Sequence, residues 1–323
     1  MKKIAVFTSG GDAPGMNACI RAVVRTGLYF GMEVYGVYRG YEGLIKDDFE
    51  KLASKSVSNI IQKGGTFLHS ARSERFRTKE GRALAYKNLT ARGIDGIVAI
   101  GGDGTFTGAN VFMNEYPDIS IVGCPGTIDN DLFGTDYTIG YLTAVNTAMN
   151  AIDNIKDTAG AHDRLFFVEV MGRDAGFIAL RSGIATGAEA IMVPETSTDK
   201  AVLMEFLENN YQKKKSSGIV IVAEGDESGG AKELAEMVQE KYPKYDIRVT
   251  ILGHVQRGGR PTCLERVNAS RMGLEAVKAL MNGQKGVMIG MVNAQITYTP
   301  FNKATKHHLD VNKSLLEMVE ILS

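Results

Sequence analysis

Net charge is the first thing this sequence lacks. Lys plus Arg and Asp plus Glu each total 37 among 323 residues, so no excess field argues for a nucleic-acid or membrane-surface partner. Nor does any apolar run approach the ~20 residues that a membrane-crossing helix needs. Met1-Lys2-Lys3-Ile4-Ala5-Val6-Phe7 opens like a signal peptide, but its apolar run is short. It passes straight into Thr8-Ser9-Gly10-Gly11 with no cleavage-site pattern, so it reads as a first core strand. Cysteine is scarce: Cys19, Cys124 and Cys263 are odd in number and lack metal-ligand spacing. Reduced thiols in a cytoplasmic setting are expected, not a disulfide framework or a zinc site. There is no low-complexity linker, no repeat and no disordered tail, so the two lobes expected from the length must be joined by short crossings.

What the chain does contain is an alternation of two periodicities. Strand-like runs are expected at Lys3–Phe7, Val34–Val37, Ile97–Ile100, Ile119–Val122, Leu165–Val170, Ile191–Val193, Ile219–Ala223 and Val249–Leu252. Amphipathic stretches lie between them at Met16–Phe30, Arg82–Arg92, Gly140–Ile155, Ala201–Gln212 and Ala231–Lys241. Such alternation predicts an α/β fold of βαβ units with mostly parallel sheets flanked by helices, and a lobe boundary near Gly140. Ligands of such sheets bind beyond the carboxyl ends of the strands.

The unusual residues fall at those ends. The stretch from Asp95 to Asp131 has an apolar run, Ile97 to Ile100, that breaks into Gly101-Gly102-Asp103-Gly104-Thr105 at the start of an amphipathic segment. Glycines at a strand-to-helix turn let backbone N–H groups approach a ligand closely. An aspartate among them would repel a bare phosphate, a conflict that disappears if Asp103 holds a divalent cation that in turn holds the phosphates. The next run ends in Pro125-Gly126-Thr127-Ile128-Asp129-Asn130-Asp131, so carboxylates beside a phosphate loop supply a metal site, a base or both. This is a phosphoryl-transfer layout.

The first loop, Thr8 to Asn17, suits a nucleotide phosphate, although it has neither the Walker A ending nor the dinucleotide glycine spacing. Arg21 and Arg25 share a helix face, which alone reads as solvated surface. The basic loop Arg72–Arg77 either reaches a triphosphate or is plain surface. In the second half, Arg164 and Arg173 bracket one run and Glu224 closes another. His254 and Arg257, three apart in a Gly-flanked loop, suit anion capture.

Taken together, Thr8 to Asn17, Gly101 to Thr105, Pro125 to Asp131, Met171 to Arg173 and Gly253 to Gly259 resemble, in order and spacing, the bacterial 6-phosphofructokinases over essentially the full chain. Gly-Gly-Asp-Gly-Thr alone is shared with NAD and lipid kinases. Joined to Pro-Gly-Thr-Ile-Asp-Asn-Asp and Gly-His-Val-Gln-Arg-Gly-Gly, it is specific. The resemblance implies two Rossmann-like lobes. One is an ATP-binding lobe of 1–139 plus about 255–304; the other is a fructose 6-phosphate lobe of 140–254 plus about 305–323.

The resemblance also implies roles. Asp129 would be the general base for the sugar 1-hydroxyl, with Thr127 and Asp131 arranging the site and Arg173 neutralising the transferring phosphoryl group. Asp103 would hold Mg²⁺, and Gly11, Tyr41, Arg72, Ser73, Gly102, Gly104 and Thr105 would line the ATP site, Tyr41 flanking the adenine. Met171, Gly172, Glu224, His254 and Arg257 would grip fructose 6-phosphate. Arg164 and Arg248 would reach its 6-phosphate from a neighbouring subunit, in a homotetramer with shared active sites. Pyrophosphate-using relatives typically carry aspartate at position 104 and lysine at 126; both are glycine here, so ATP is the expected donor. ADP or phosphoenolpyruvate would act as effector through Arg21, Arg25, Ser58, Asn59, Lys156, Gly187, Glu189, Lys213 and Lys215. Ser54, Asn59 and Ser217 stand where relatives usually have arginine, aspartate and histidine.

The activity so implied is ATP-dependent phosphorylation of fructose 6-phosphate at its 1-hydroxyl, a committed step of glycolysis, under allosteric control. Two alternatives compete. Another Gly-Gly-Asp-Gly kinase, acting on NAD or a lipid, leaves the basic residues of the later strand ends unexplained. A nucleotide-sensing pseudokinase is disfavoured because Asp103, Asp129 and Arg173 are all present.

Overall fold

The structure, a computed structural model, describes residues 1–162, 164–195, 203–205, 207–208, 218–225, 229–304 and 313–322. Packing divides the chain into two units. Met1–Ile128, Leu132–Thr143 and Arg257–His307 form the first; Asp129–Asp131, Ala144–Gln256 and His308–Ser323 form the second.

The first unit is built on an eight-stranded sheet. Its main path runs β12 (Gln295–Pro300), β11 (Val287–Val292), β5 (Ser120–Thr127), β4 (Gly96–Gly101), β1 (Lys3–Thr8), β2 (Glu33–Val37) and β3 (Phe49–Leu52), and β6 (Ile139–Gly140) pairs with β5. All neighbours are parallel except the two edge pairs, β2–β3 and β11–β12. The central strands are apolar through their middles, Ile4–Phe7 and Ile97–Ile100, because helices cover both faces. β1 leads to β2 on one side, while β4 lies on the other, so the strand order reverses between β1 and β4. A crevice opens at such a reversal.

Helix α1 (Met16–Tyr29) packs along the helix Cys263–Met281 so closely that a Cβ at Gly273 would stand 2.6 Å from the Cys19 carbonyl oxygen. On the other face lie α2 (Gly40–Lys46), α3 (Lys79–Arg92) and α4 (Asp103–Glu115), sharing a core with Phe7, Leu44, Phe76, Leu89, Phe106 and Phe112. Each such side chain contributes about 1.5–3 kcal/mol by leaving water. Residues 53–74, between β3 and the 3-10 turn Arg75–Arg77, contain no helix or strand.

The second unit holds a four-stranded parallel sheet ordered β10 (Asp246–Ile251), β7 (Arg164–Val170), β9 (Gly218–Ala223) and β8 (Ala190–Met192). Leu165, Phe167, Leu207, Val220, Leu234 and Val238 form its core. Its described helices include most of α5 (Tyr141–His162), α6 (Phe177–Thr186), Ala231–Lys241 and Lys313–Leu322. No described helix is long and apolar enough to cross a membrane.

Apart from Ala201–Gln212, the expected strands and helices are present with shifted ends. Strand β10 begins at Asp246, three residues before the expected Val249, and β5 runs on to Thr127. The expected helix Ala201–Gln212 lies largely outside the described residues. Periodicity alone did not reveal α2, α6, the helix Cys263–Met281 or the antiparallel edge strands β3 and β12. Thr262-x-x-Glu265 was a legible signal for one of these: the Thr262 hydroxyl accepts from the Glu265 backbone N–H at 3.2 Å and caps that helix.

Candidate active site

In the first unit the two glycine loops emerge from β1 and β4, at the strand-order reversal. The Ser9 backbone N–H donates to the Ile100 carbonyl at 2.9 Å, so the loops are joined at their roots. Gly10 and Gly15 hold φ of 88° and 116°, conformations that a side chain resists. At Gly101 the reason is space, since a Cβ would lie 2.3 Å from the Thr105 hydroxyl and 2.7 Å from the Ser9 carbonyl oxygen. Gly102 caps α4, and Asp103 is its first residue, half-buried beside the first-turn N–H groups. This helix start favours an anion. Gly104 faces open space, whereas a Cβ at Gly126 would stand 2.9 Å from Met16 Cε and 3.1 Å from Ile100 Cγ2. Gly104 thus leaves room for a ligand, and Gly126 is a packing position.

Tyr41, expected beside the adenine, is largely buried, 6% exposed. Its ring stacks on Phe76 at 3.9 Å and tilts against Phe7, and its hydroxyl donates to the Thr105 carbonyl at 2.6 Å. Burial pushes its phenol far up, so it stays a donor. It supports the α4 start from beneath. Arg72 is exposed. The Ser73 hydroxyl donates to Glu42 Oε2 at 2.7 Å and accepts from the Phe76 N–H at 3.2 Å. That hydroxyl, with Lys46 and Arg75, holds the Glu42 carboxyl below its usual range against a partial-burial effect of opposite sign. Glu42, which sequence reasoning passed over, therefore anchors the Ser73 segment. Arg257, expected on the sugar phosphate, groups with the first unit. Its Nη1 donates to the Asp12 carbonyl at 3.3 Å, and a Cβ at Gly11 would meet that nitrogen at 2.6 Å. Thr127 ends β5, its carbonyl accepting from the Thr138 hydroxyl at 2.6 Å.

In the second unit Asp129 and Asp131 are buried, at 4% and 7% exposure, on either side of Asn130, whose φ is 55°. Arg173 Nε lies 3.7 Å from Asp129 Oδ2. Arg173 itself sits at φ 53° after Gly172 at φ 149°, a bend directly beyond β7. What holds that bend is Glu224, whose Oε1 accepts from the Arg173 N–H at 2.8 Å and the Gly172 N–H at 3.4 Å. Met171 is buried, and its N–H donates to Gln256 Oε1 at 3.3 Å. Gln256, fully buried, also donates to the Gly253 carbonyl at 3.0 Å and so ties the turn carrying exposed His254 to the end of β7. Arg164 and Arg248 lie on adjacent strands, and Asp246 bridges them, at 2.9 Å to Arg164 Nε and 2.6 Å to Arg248 Nη1. Gln256 stood inside a quoted motif without a role of its own. Asp246 gave no sequence signal beyond its position two before Arg248.

Among the described residues no cluster of three or more His, Cys, Asp or Glu side chains could hold a metal. Asp103 therefore offers a single carboxylate beside a phosphate cradle. That donor set fits Mg²⁺, which takes one or two protein carboxylates and completes its shell with phosphate oxygens and water.

The expected effector residues divide between the units. In the first, exposed Arg25 donates to the Ser54 carbonyl at 3.4 Å, the Ser58 hydroxyl donates to the same carbonyl at 3.3 Å, Asn59 holds φ 57° and Arg21 is half-buried. In the second, Lys156 Nζ donates to the Thr186 and Gly187 carbonyls at 2.5 and 3.0 Å, capping the α6 C-terminus. Glu189 Oε2 accepts from the Ile219 N–H at 2.6 Å. Lys213, Lys215 and Ser217 lie outside the described residues.

The family model for phosphofructokinase matches residues 3–280. The chain belongs to the phosphofructokinase family. It is 55% identical over 323 residues to ATP-dependent 6-phosphofructokinase 2 of Bacteroides thetaiotaomicron, covering all of this chain and 99% of that one. It is 56% identical to ATP-dependent 6-phosphofructokinase of Cytophaga hutchinsonii, covering 100% and 98% of the two chains. Among solved structures, phosphofructokinase from Pichia pastoris in the T-state superposes with a TM-score of 0.87 at 39% identity. The match covers 94% of this chain but 35% of that longer one. For a phosphofructokinase, the positions of the glycine loops at the carboxyl ends of β1 and β4 follow from the sheet order alone.

Proposed function

We propose that this chain catalyses phosphorylation of fructose 6-phosphate at its 1-hydroxyl by ATP, giving fructose 1,6-bisphosphate and ADP in glycolysis. The geometry that best supports this reading is the buried Asp129 carboxylate with the Arg173 guanidinium at 3.7 Å. A carboxylate can take the proton of an attacking hydroxyl, and an adjacent guanidinium can balance charge on the transferring phosphoryl oxygens.

The first unit is the nucleotide half. Its glycine loops at Gly11 and Gly102–Thr105, with the α4 N-terminus, cradle phosphates, while Arg72 and Ser73 approach from the irregular segment. Asp103 would hold Mg²⁺, which supplies charge neutralisation on the phosphate oxygens when bound. The second unit is the sugar-phosphate half, where Glu224 sets the Gly172–Arg173 bend, and Asp246 keeps Arg164 and Arg248 side by side for a phosphate. Open space at Gly104 suits a nucleotide donor and argues for ATP over pyrophosphate. The enzyme so read is cytoplasmic and a homotetramer sharing active sites, with an anionic effector such as ADP or phosphoenolpyruvate bound between subunits. Because Lys156 already caps α6, its charge is partly neutralised by that helix end. The expected effector affinity is correspondingly weak.

A coupled assay of fructose 6-phosphate phosphorylation, run with ATP and with pyrophosphate, each with and without Mg²⁺, tests this reading. Turnover with ATP and Mg²⁺ alone is expected. Activity with pyrophosphate would overturn the donor, and silence with both would return the chain to the nucleotide-sensing alternative.

A further inference from the structure

The stretch 53–74 is long for a segment without helix or strand, and such segments persist in compact proteins when something outside them holds their backbone. Here the first of the holders is a single buried side chain. Asn17, on the first turn of α1, is 3% exposed, and its carboxamide bonds to this segment three times. Its Nδ2 donates to the Lys63 carbonyl at 3.1 Å and the Gly64 carbonyl at 3.2 Å, and its Oδ1 accepts from the Phe67 N–H at 2.6 Å. Two donors and one acceptor from a single short side chain are what an amide offers; aspartate has no donor and leucine has neither.

Downstream the same segment is clasped to the first glycine loop. The Thr8 hydroxyl donates to the His69 carbonyl at 2.8 Å and shares a hydrogen bond with the Thr66 hydroxyl at 2.8 Å. The Ser70 hydroxyl donates to the Gly10 carbonyl at 2.6 Å. Between these clasps Leu68 is fully buried. Arg72 and Ser73 follow immediately. Their approach to the first loop is therefore set by a register that starts at Asn17 and is repeated at Thr8 and Ser70.

We propose that Asn17 is a positioning residue for the nucleotide half of the site: it registers residues 63–67 against the loop Gly10–Gly15 and so places Arg72 and Ser73. The inference rests on the functional reading above. It predicts an effect confined to one substrate, because every bond named lies within the first unit.

The test uses the full chain with Asn17→Leu, Asn17→Asp and Ser70→Ala. For Asn17→Leu, which keeps the shape and loses all three bonds, KM for ATP should rise tenfold or more while KM for fructose 6-phosphate stays within about twofold. Asn17→Asp keeps the acceptor for Phe67 and loses both donors, so its effect should be intermediate. Loss of folded protein alone would lower the active fraction and leave both KM values unchanged; that result, or equal shifts in both, would overturn the proposal. A magnesium complex of a non-hydrolysable ATP analogue, titrated calorimetrically, supplies a second readout independent of turnover. If wild-type protein binds the analogue but leaves fructose 6-phosphate untouched, the substrate reading fails while the Asn17 comparison still decides. If neither Asn17 variant folds, Ser70→Ala breaks the register at its other end, and an unchanged analogue affinity there would overturn the proposal.

Discussion

Replacing Glu265 with glutamine should abolish the pH dependence that this one side chain gives the protein's stability. Glu265 is 2% exposed at the start of the helix Cys263–Met281. Its Oε2 accepts from the Thr143 N–H and hydroxyl, both at 3.2 Å, and the carboxylate takes further backbone hydrogen bonds from Gly140 and Leu142. Burial pushes its pKa up from 4.5 to about 7, and those hydrogen bonds pull it down without prevailing. Gly15 lies so close to it that a Cβ there would stand 3.0 Å from Glu265 Cγ. Because the folded pKa is the higher one, the protonated form is favoured by folding. The contribution is complete below about 4.5 and is lost as pH rises through about 7. The difference of the two values, 7 minus 4.5, at about 1.36 kcal/mol per unit amounts to about 3 kcal/mol. Glutamine keeps an acceptor oxygen and cannot ionise. Urea unfolding at pH 5 and pH 8 should therefore show the wild type losing about 2–3 kcal/mol relative to Glu265→Gln across that interval. Parallel curves for the two proteins would refute the reasoning, as would a wild type that gains on the variant as pH rises.

Further outcomes follow from the geometry. Asp129→Ser should lower kcat by roughly 10²–10⁴-fold while sparing fructose 6-phosphate binding, measured by titration of the sugar phosphate. Gly104→Asp should raise KM for ATP with little change in melting, because its side chain enters open space, whereas Gly126→Lys should cost about 1–3 kcal/mol by crowding Met16 and Ile100. Asp246→Ala should raise KM for fructose 6-phosphate by releasing Arg164 and Arg248 from one another, yet change stability by about 1 kcal/mol or less, since all three groups are partly exposed. Arg82→Met should leave kcat unchanged and destabilise by about 1–3 kcal/mol in urea, chiefly because the Phe76 and Arg77 carbonyls lose their Arg82 hydrogen bonds, the pair with exposed Glu115 adding little.

The parallel α/β architecture was legible because buried strands such as Ile97–Ile100 and Ile219–Ala223 must be apolar on both faces, and because glycines and charges gather where those strands end. The glycine loops, Asp103 and the Asp129–Arg173 region could be named for the same reason: few residue types can approach a phosphate or hold a charge there. The antiparallel edges β3 and β12 were not legible, since an edge strand with one exposed face carries a weak pattern. Nor could periodicity give Tyr41 its place. Its ring packs against Phe76 and Phe7, both remote from it in sequence.

Composition, loop chemistry and strand order of appearance were thus determined along the chain itself, because each depends on residues close in sequence. Tertiary structure alone decided the partners separated by tens or hundreds of residues. It put Asn17 on Lys63 and Phe67, Glu42 on Ser73, Asp246 between Arg164 and Arg248, Gln256 on Met171, and Arg257 on the Asp12 carbonyl. Each is a polar side chain satisfying a group that folding brings to it, and no local pattern encodes which buried donor or acceptor will be left for it to meet.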